Sequence, residues 1–255
     1  MQYTLKKSLG QHFLKDENIC KKIVQALQEN IDDTGIKNLL EIGPGAGALT
    51  KYLLQLPELN FKAVELDAEK VQYLETIYPR IKDKMIHNDF LDIDAPFDTP
   101  FIVAGNFPYN ISTQIVFKIL DWKERVPVMI GMFQKEVAQR IVSKPGTKVY
   151  GIISVLTQAF YSAEYLFDVT PGSFTPPPKV MSGVIKLKVR STKCEVRSEK
   201  DFFTLVKTAF NQRRKTLRNA VRNLFDEAAL KYDIFNKRAE QLSVEDFAAL
   251  TFKMK

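Results

Sequence analysis

Cysteine is scarce in this sequence. Cys20 and Cys194 are the only two in 255 residues, and they form no CxxC or other metal-type spacing. A disulfide-stapled scaffold and a zinc-ribbon site are thereby excluded, no metal site is expected, and a reducing compartment with two free thiols is the simplest reading. No apolar run is long enough to cross a bilayer. The N-terminal stretch MQYTLKKSLGQHF lacks the apolar core and cleavage pattern of a secretory signal. Internal repeats and low-complexity tracts are also missing. These absences point to a soluble cytoplasmic protein with no membrane partner, and we expect it to be monomeric.

What the chain does have is a basic excess and an ordinary apolar content. The net charge is +7, the pI about 9.2, and 45% of residues are hydrophobic. That apolar fraction argues for a packed core and against disorder. A basic surface favours polyanions, because neutralised phosphates release their counterions; the same charge also serves plain solubility. The length suits one large domain with a small appendage or two modest domains.

Apolar periodicity orders the chain. Asp16 caps a helix expected to run to about Asn30, with Ile19, Ile23 and Leu27 on one face. Strands are expected at 38–42, 61–65, 84–87, 101–104 and 126–132. Helices are expected between or after them at 48–55, 68–77, from about 112, and at 135–142. This alternation means βαβ units and a mostly parallel sheet with helices on both faces. Right-handed crossovers then put the working crevice at the carboxyl ends of the strands. Further on, 152–160 reads as a helix, and 161–169 and 180–189 as two more strands around a proline-rich loop. Beyond about Thr192 no strand is convincing; 202–211, 215–224 and 244–251 read as short helices. The expected division is an α/β domain over 1–192 and a small all-helical C-terminal domain over 193–255.

Motifs fall where that crevice should lie. Glu41-Ile42-Gly43-Pro44-Gly45-Ala46-Gly47 follows the first sheet strand and opens a helix. A dinucleotide site wants G-x-G-x-x-G and places pyrophosphate on the helix N-terminus. Here the spacing is G-x-G-x-G behind an acidic residue, which suits S-adenosylmethionine, a cofactor with no phosphate to cradle. Glu65 ends the next strand, where a carboxylate binds ribose hydroxyls. Asp89 follows the third and is placed to accept from an adenine amino group.

Asn106-Phe107-Pro108-Tyr109 follows the fourth strand. An exocyclic adenine amine is a poor nucleophile because its lone pair is delocalised into the ring. Two acceptors for its N–H groups favour a pyramidal nitrogen, and the Asn106 side-chain oxygen and the Pro108 carbonyl fill that role. Pro108 adds rigidity, and Tyr109 offers a face on which the base stacks. Positioning supplies most of the catalysis, so no strong general base is needed. Phe174, in the proline-rich loop, is expected to close on the other face of a flipped adenine. Lys6 and Lys7 near the N-terminus are candidate RNA contacts. So are Arg214, Arg218 and Arg222, which recur every four residues as one helical stripe, with Lys215 beside it.

Together these segments resemble the ribosomal RNA adenine dimethyltransferase family, the small-subunit enzymes linked to kasugamycin sensitivity. The likeness covers nearly the whole chain. It is carried by Lys7-Ser8-Leu9-Gly10-Gln11-His12-Phe13-Leu14, the Glu41–Gly45 turn, the Asn106–Tyr109 tetrapeptide, Phe174-Thr175-Pro176-Pro177-Pro178-Lys179-Val180, and Ala209-Phe210-Asn211-Gln212-Arg213-Arg214-Lys215-Thr216-Leu217. It implies a Rossmann-like S-adenosylmethionine methyltransferase fold, with cofactor contacts at His12, Leu14, Gly43, Glu65, Asp89 and Asn106; Gly45 belongs to the same turn. It also implies the substrate: two adjacent adenosines in a hairpin loop near the 3′ end of small-subunit rRNA, within an immature subunit, each receiving two methyl groups. The chain departs from the family pattern at His12, where Asn is usual, at Phe107, where Leu is usual, and at Asn88, where Gly is common. Phe107 is expected to serve packing. Two other readings share some of these features: a large-subunit rRNA adenine methyltransferase giving macrolide resistance, and a non-enzymatic assembly factor on an inherited methyltransferase fold.

Overall fold

The computed structural model describes residues 12–192 and 194–255. Its sheet is built from apolar runs too short for helices. β1 (Phe13–Leu14) lies outside it and leads into α1 (Glu17–Thr34). There follow β2 (Asn38–Ile42), α2 (Thr50–Leu53), β3 (Asn60–Glu65), α3 (Ala68–Ile77), β4 (Met85–His87), β5 (Ile102–Asn106), α4 (Ser112–Asp121), β6 (Val128–Gln134) and α5 (Lys135–Val142). After α6 (Ile152–Phe160) come β7 (Tyr161–Val169), β8 (Phe174–Thr175) and β9 (Ser182–Val189). Among the described residues beyond, the regular elements are α7 (Glu199–Asn211), α8 (Leu217–Ala220), α9 (Val244–Thr251) and short 3-10 turns.

Among the described residues, seven strands form one sheet in the order β4-β3-β2-β5-β6-β9-β7. β4, β3, β2, β5 and β6 run parallel, and β9 is antiparallel to β6. The strand order reverses between β2 and β5, which is the switch point where a ligand crevice opens. Alternate residues explain the two buried faces. Leu39, Phe61, Ala63, Ile102, Ala104, Val128 and Ile130 join one core cluster with Ile23, Leu27 and Ile31 of α1. Their neighbours Leu40, Val64, Val103 and Met129 are equally buried.

Asp16 does cap α1, accepting the Asn18 and Ile19 amides at 3.0 and 3.3 Å. The helix runs a full turn past Asn30 to Gly35, whose left-handed backbone ends it. α2 is shorter than the expected 48–55, because residues 45–49 remain in turns after the glycine bend.

The contacts divide the chain into two units, 1–138 with 164–189, and 139–163 with 190–255. The second unit is thus discontinuous: it takes residues 139–163 as well as a segment that begins at 190, where the sequence suggests one continuous domain over 193–255. The reason is the composition of α6: Ile153, Val155, Leu156 and Ala159 are all buried, and within this unit α6 packs on α7 and α9. The core of the second unit is aromatic, with Phe210 between Tyr150 and Phe247 at ring separations of 6.1 and 5.9 Å.

The expected stripe Arg214–Arg218–Arg222 does not form. Arg214 and Lys215 lie in a turn closed by Lys215 N–H to the Gln212 carbonyl at 2.8 Å, and Thr216 is extended. Only Arg218 is in α8, and Arg222 begins a separate 3-10 turn.

Candidate active site

The glycine bend begins where β2 stops. Gly43 donates to the Val64 carbonyl at 2.9 Å, extending the β2–β3 ladder by one bond. The chain then turns with φ of +64° at Gly43 and +60° at Gly45, a region that side chains strain to enter. A β carbon on Gly43 would lie 3.6 Å from Pro108 Cδ, so the bend and the tetrapeptide abut.

Glu65, at the end of β3, is buried and faces that bend. Its Oε2 accepts the Gly45 amide at 3.1 Å, and its Oε1 accepts the Asp67 amide at 3.1 Å. Lys70, in the first turn of α3, brings its ammonium to 3.6 Å from Oε1. Asp89 follows β4 and is half-buried; its Oδ1 accepts the Leu91 amide at 2.9 Å. Glu41 lies within β2 and is buried, accepting the Thr50 hydroxyl at 2.7 Å. Burial pushes its carboxyl up to about 8; the Thr50 bond opposes this and the nearby Glu65 adds to it.

The tetrapeptide leaves β5 as a fixed bend. The Phe107 amide donates to the Met132 carbonyl at 3.2 Å, and the Pro108 carbonyl accepts the Ile111 amide at 3.3 Å. Phe107 points inward and is 1% exposed, with its ring in an edge contact 5.0 Å from Phe133. The Tyr109 ring is half-buried, and its hydroxyl meets Ser182 Oγ at 2.5 Å. Burial raises the Tyr109 pKa, against the Ser182 hydrogen bond.

The N-terminal segment forms a further wall. β1 pairs antiparallel with β8, matching Phe13 to Thr175 and Leu14 to Phe174. His12 Nδ1 lies 2.8 Å from the Pro176 carbonyl, and its ring sits 5.9 Å from that of Tyr109.

A cavity of about 240 Å³ is lined by His12, Leu14, Glu41, Gly43, Gly45, Glu65, Lys70, Asp89, Asn106, Pro108 and Tyr109, among others. Every cofactor and tetrapeptide residue expected from the sequence is therefore gathered there, with one exception among the catalytic set. Phe174 is 1% exposed and belongs to the core cluster with Leu14, Cys20, Val169 and Val184. Pairing with β1 turns its ring inward, so in this structure it does not cover the cavity. Lys6 and Lys7 lie outside the described residues. Arg214, Lys215, Arg218 and Arg222 are exposed, but Arg218 Nε donates to the Leu230 carbonyl at 3.1 Å and Arg222 lies 3.5 Å from Glu227.

Residues 2–254 match the ribosomal RNA adenine dimethylase family. The chain belongs to that family. It is an rRNA adenine N6,N6-dimethyltransferase. The ribosomal RNA small subunit methyltransferase A of Flavobacterium johnsoniae is 53% identical to this dimethylase, over 98% of this chain and 95% of its own. The protein of the same name from Cytophaga hutchinsonii is 51% identical, over 96% and 95%. Among solved structures, a dimethyladenosine transferase from Plasmodium falciparum superposes with a TM-score of 0.74 at 24% identity, covering 92% of this chain and 94% of that one. The 23S rRNA methyltransferase ErmE gives 0.68 at 22% identity, covering 93% and 99%. At these identities the likeness lies in the fold, a Rossmann-like methyltransferase sheet with helices on both faces.

Two residues of the dimethylase's cavity region carry no signal in the sequence. Lys70 has no flag beyond being a lysine one turn after Glu65. Ser182 stands 73 residues from its partner Tyr109, and only the folded chain shows that they meet.

Proposed function

We propose that the dimethylase draws its methyl groups from S-adenosylmethionine in this cavity. It delivers them to two adjacent adenosines in a hairpin loop near the 3′ end of small-subunit rRNA. The observation that carries the reading is a single one: Gly43, Glu65, Asp89 and Asn106, each at the carboxyl end of a different parallel strand, line one cavity. The small-subunit assignment is supported by the relatives at 51% and 53% identity, whose names specify that subunit. The substrate is the immature subunit, the site of action is the cytoplasm, and the enzyme acts as a monomer. Among the described residues no helix is long and apolar enough to cross a membrane.

The donor set fits the cofactor. Glu65 offers lone pairs beside the bend for a ribose diol, Asp89 offers one for the adenine amine, and the positive-φ glycines leave backbone open to close approach. His12 and Leu14 complete the wall. When bound, S-adenosylmethionine supplies an electrophilic methyl carbon on a sulfonium. The work of the chain is to present the amine. The Asn106 side-chain oxygen and the Pro108 carbonyl accept its two N–H groups, leaving the nitrogen lone pair free to attack. The Pro108 oxygen already holds the Ile111 amide and has a second lone pair for the substrate. Tyr109, held through its hydroxyl, provides the stacking face. A proton is lost to water after each transfer. In the second unit, Arg214, Lys215, Arg218 and Arg222 contribute to holding the rRNA backbone, together with Lys6 and Lys7 of the N-terminal segment.

The test pairs binding with product analysis. Asn106→Ala should lower transfer to immature small subunits by about 100-fold or more, the scale for removing a positioned hydrogen-bonding group. Its affinity for S-adenosylhomocysteine should stay within roughly fivefold, since one hydrogen bond among several is worth about 1 kcal/mol. Nucleosides from the wild-type product should contain N6,N6-dimethyladenosine. Methylated cytosine or guanine alone would overturn the reading.

A further inference from the structure

Lysine is almost never fully buried unless it is paired. Lys70 is 6% exposed and lines the cavity, on the first turn of α3. Among the described residues its charged partner is Glu65, at 3.6 Å, beyond the range of a good N–H···O bond. An ammonium carries three donors, and donors left unmade in a buried site are costly. The Glu65 oxygens are meanwhile engaged with the amides of Gly45 and Asp67. The local geometry is therefore a carboxylate with spare lone pairs beside an ammonium with spare protons, both open to the same cavity.

A ribose cis-diol matches that pair. Each hydroxyl donates one proton and accepts at its oxygen, so it satisfies a carboxylate and an ammonium at once. We propose that Lys70 is a cofactor-binding residue whose ammonium donates to one ribose hydroxyl oxygen of the bound adenosyl group, while Glu65 accepts from the diol. This rests on the cofactor reading of the cavity. The competing account is that Lys70 only neutralises Glu65, and the two differ in what each hydroxyl contributes to binding.

Calorimetric titration separates them without any turnover. S-Adenosylhomocysteine and its 2′-deoxy and 3′-deoxy analogues are titrated into wild type and Lys70→Met, with thermal melting to confirm folding. Wild type should bind the parent compound and lose on the order of tenfold when a hydroxyl is removed, the scale of a charge-assisted hydrogen bond. Lys70→Met should bind the parent about tenfold more weakly, and the loss for one of the two hydroxyls should shrink to about twofold or less. Equal losses in wild type and Lys70→Met overturn the proposal and leave Glu65 in its role. Wild type that binds the parent but loses nothing with either analogue overturns the ribose assignment of Glu65 as well. No binding of the parent overturns the cofactor reading with it. If Lys70→Met does not fold, Lys70→Arg keeps the charge beside Glu65 while moving the donors. A changed loss for one hydroxyl then supports the proposal, and unchanged losses overturn it.

Discussion

At Gly131 the sheet has no room for one more carbon. A β carbon there would lie 2.1 Å from Phe107 Cε2, and one on Gly105 would lie 2.6 Å from Phe107 Cε1. These two glycines are register partners on β5 and β6, and together they form the seat of the Phe107 ring. The sequence alone suggests that Phe107 serves packing; the seat itself is hidden there because β5 and β6 meet only in the fold. Gly131→Ala should cost about 2 kcal/mol or more in urea unfolding, the range for overpacking a filled core. Phe107→Leu in the same chain should recover part of that loss, because the shorter side chain vacates the contested space. Simple additivity of the two changes would refute the seat. Glu41 gives a second test at this scale. Burial lifts its folded-state pKa from 4.5 to about 8, so the fold favours the neutral acid. The stability it contributes is complete below about pH 4.5 and is lost as pH rises toward 8. Relative to Glu41→Gln, wild type should therefore weaken across that window, at up to about 1.4 kcal/mol per pH unit, and run parallel above it. Urea midpoints read at several pH values check this, and a constant gap between the two proteins would contradict it.

At the scale of elements, the cavity wall depends on a short cross-connection. The Lys15 amide donates to the Ser173 carbonyl at 2.9 Å, and the Ser173 hydroxyl donates to Asp16 Oδ2 at 3.1 Å. Asp16 thus uses one oxygen to cap α1 and the other to hold the loop that carries β8. Asp16→Ala should cost about 1–2 kcal/mol by loss of the cap. It should also weaken S-adenosylhomocysteine binding several-fold, because His12 and Leu14 hang from the same connection. Asp16→Asn keeps a capping oxygen and should restore most of the stability. Elements of this kind divide what is legible from what is not. The parallel strands are readable because each is an apolar run bounded by turns, and the acids and the tetrapeptide follow from their places at strand ends. The β1–β8 pairing is not, because two-residue strands carry no period. It is this pairing that buries Phe174, whose ring the sequence places over the substrate. The basic residues after α7 mislead for a related reason. A spacing of four residues implies a stripe only where the helix is continuous, and the chain is extended at Thr216.

For the whole molecule the relevant quantity is charge. The chain carries an excess of +7, and neighbouring cations in the second unit have different work. Arg213 is tied within that unit, with Nε 2.6 Å from Glu240 and a further guanidinium bond to the Lys148 carbonyl. Arg214 and Lys215, next in sequence, are exposed in a turn. The three side chains should therefore answer differently to removal. Alanine at Arg213 should lower stability by about 0.5–1 kcal/mol, as for a partly exposed ion pair, with the salt dependence of rRNA binding unchanged. Alanine at both Arg214 and Lys215 should leave the melting temperature and S-adenosylhomocysteine affinity as they were. It should weaken binding to immature small subunits and flatten the plot of log affinity against log salt by about 0.7–0.9 for each phosphate no longer neutralised. A slope unchanged by the double substitution would mean that these charges serve solubility, and that the polyanion is held by other parts of the basic surface.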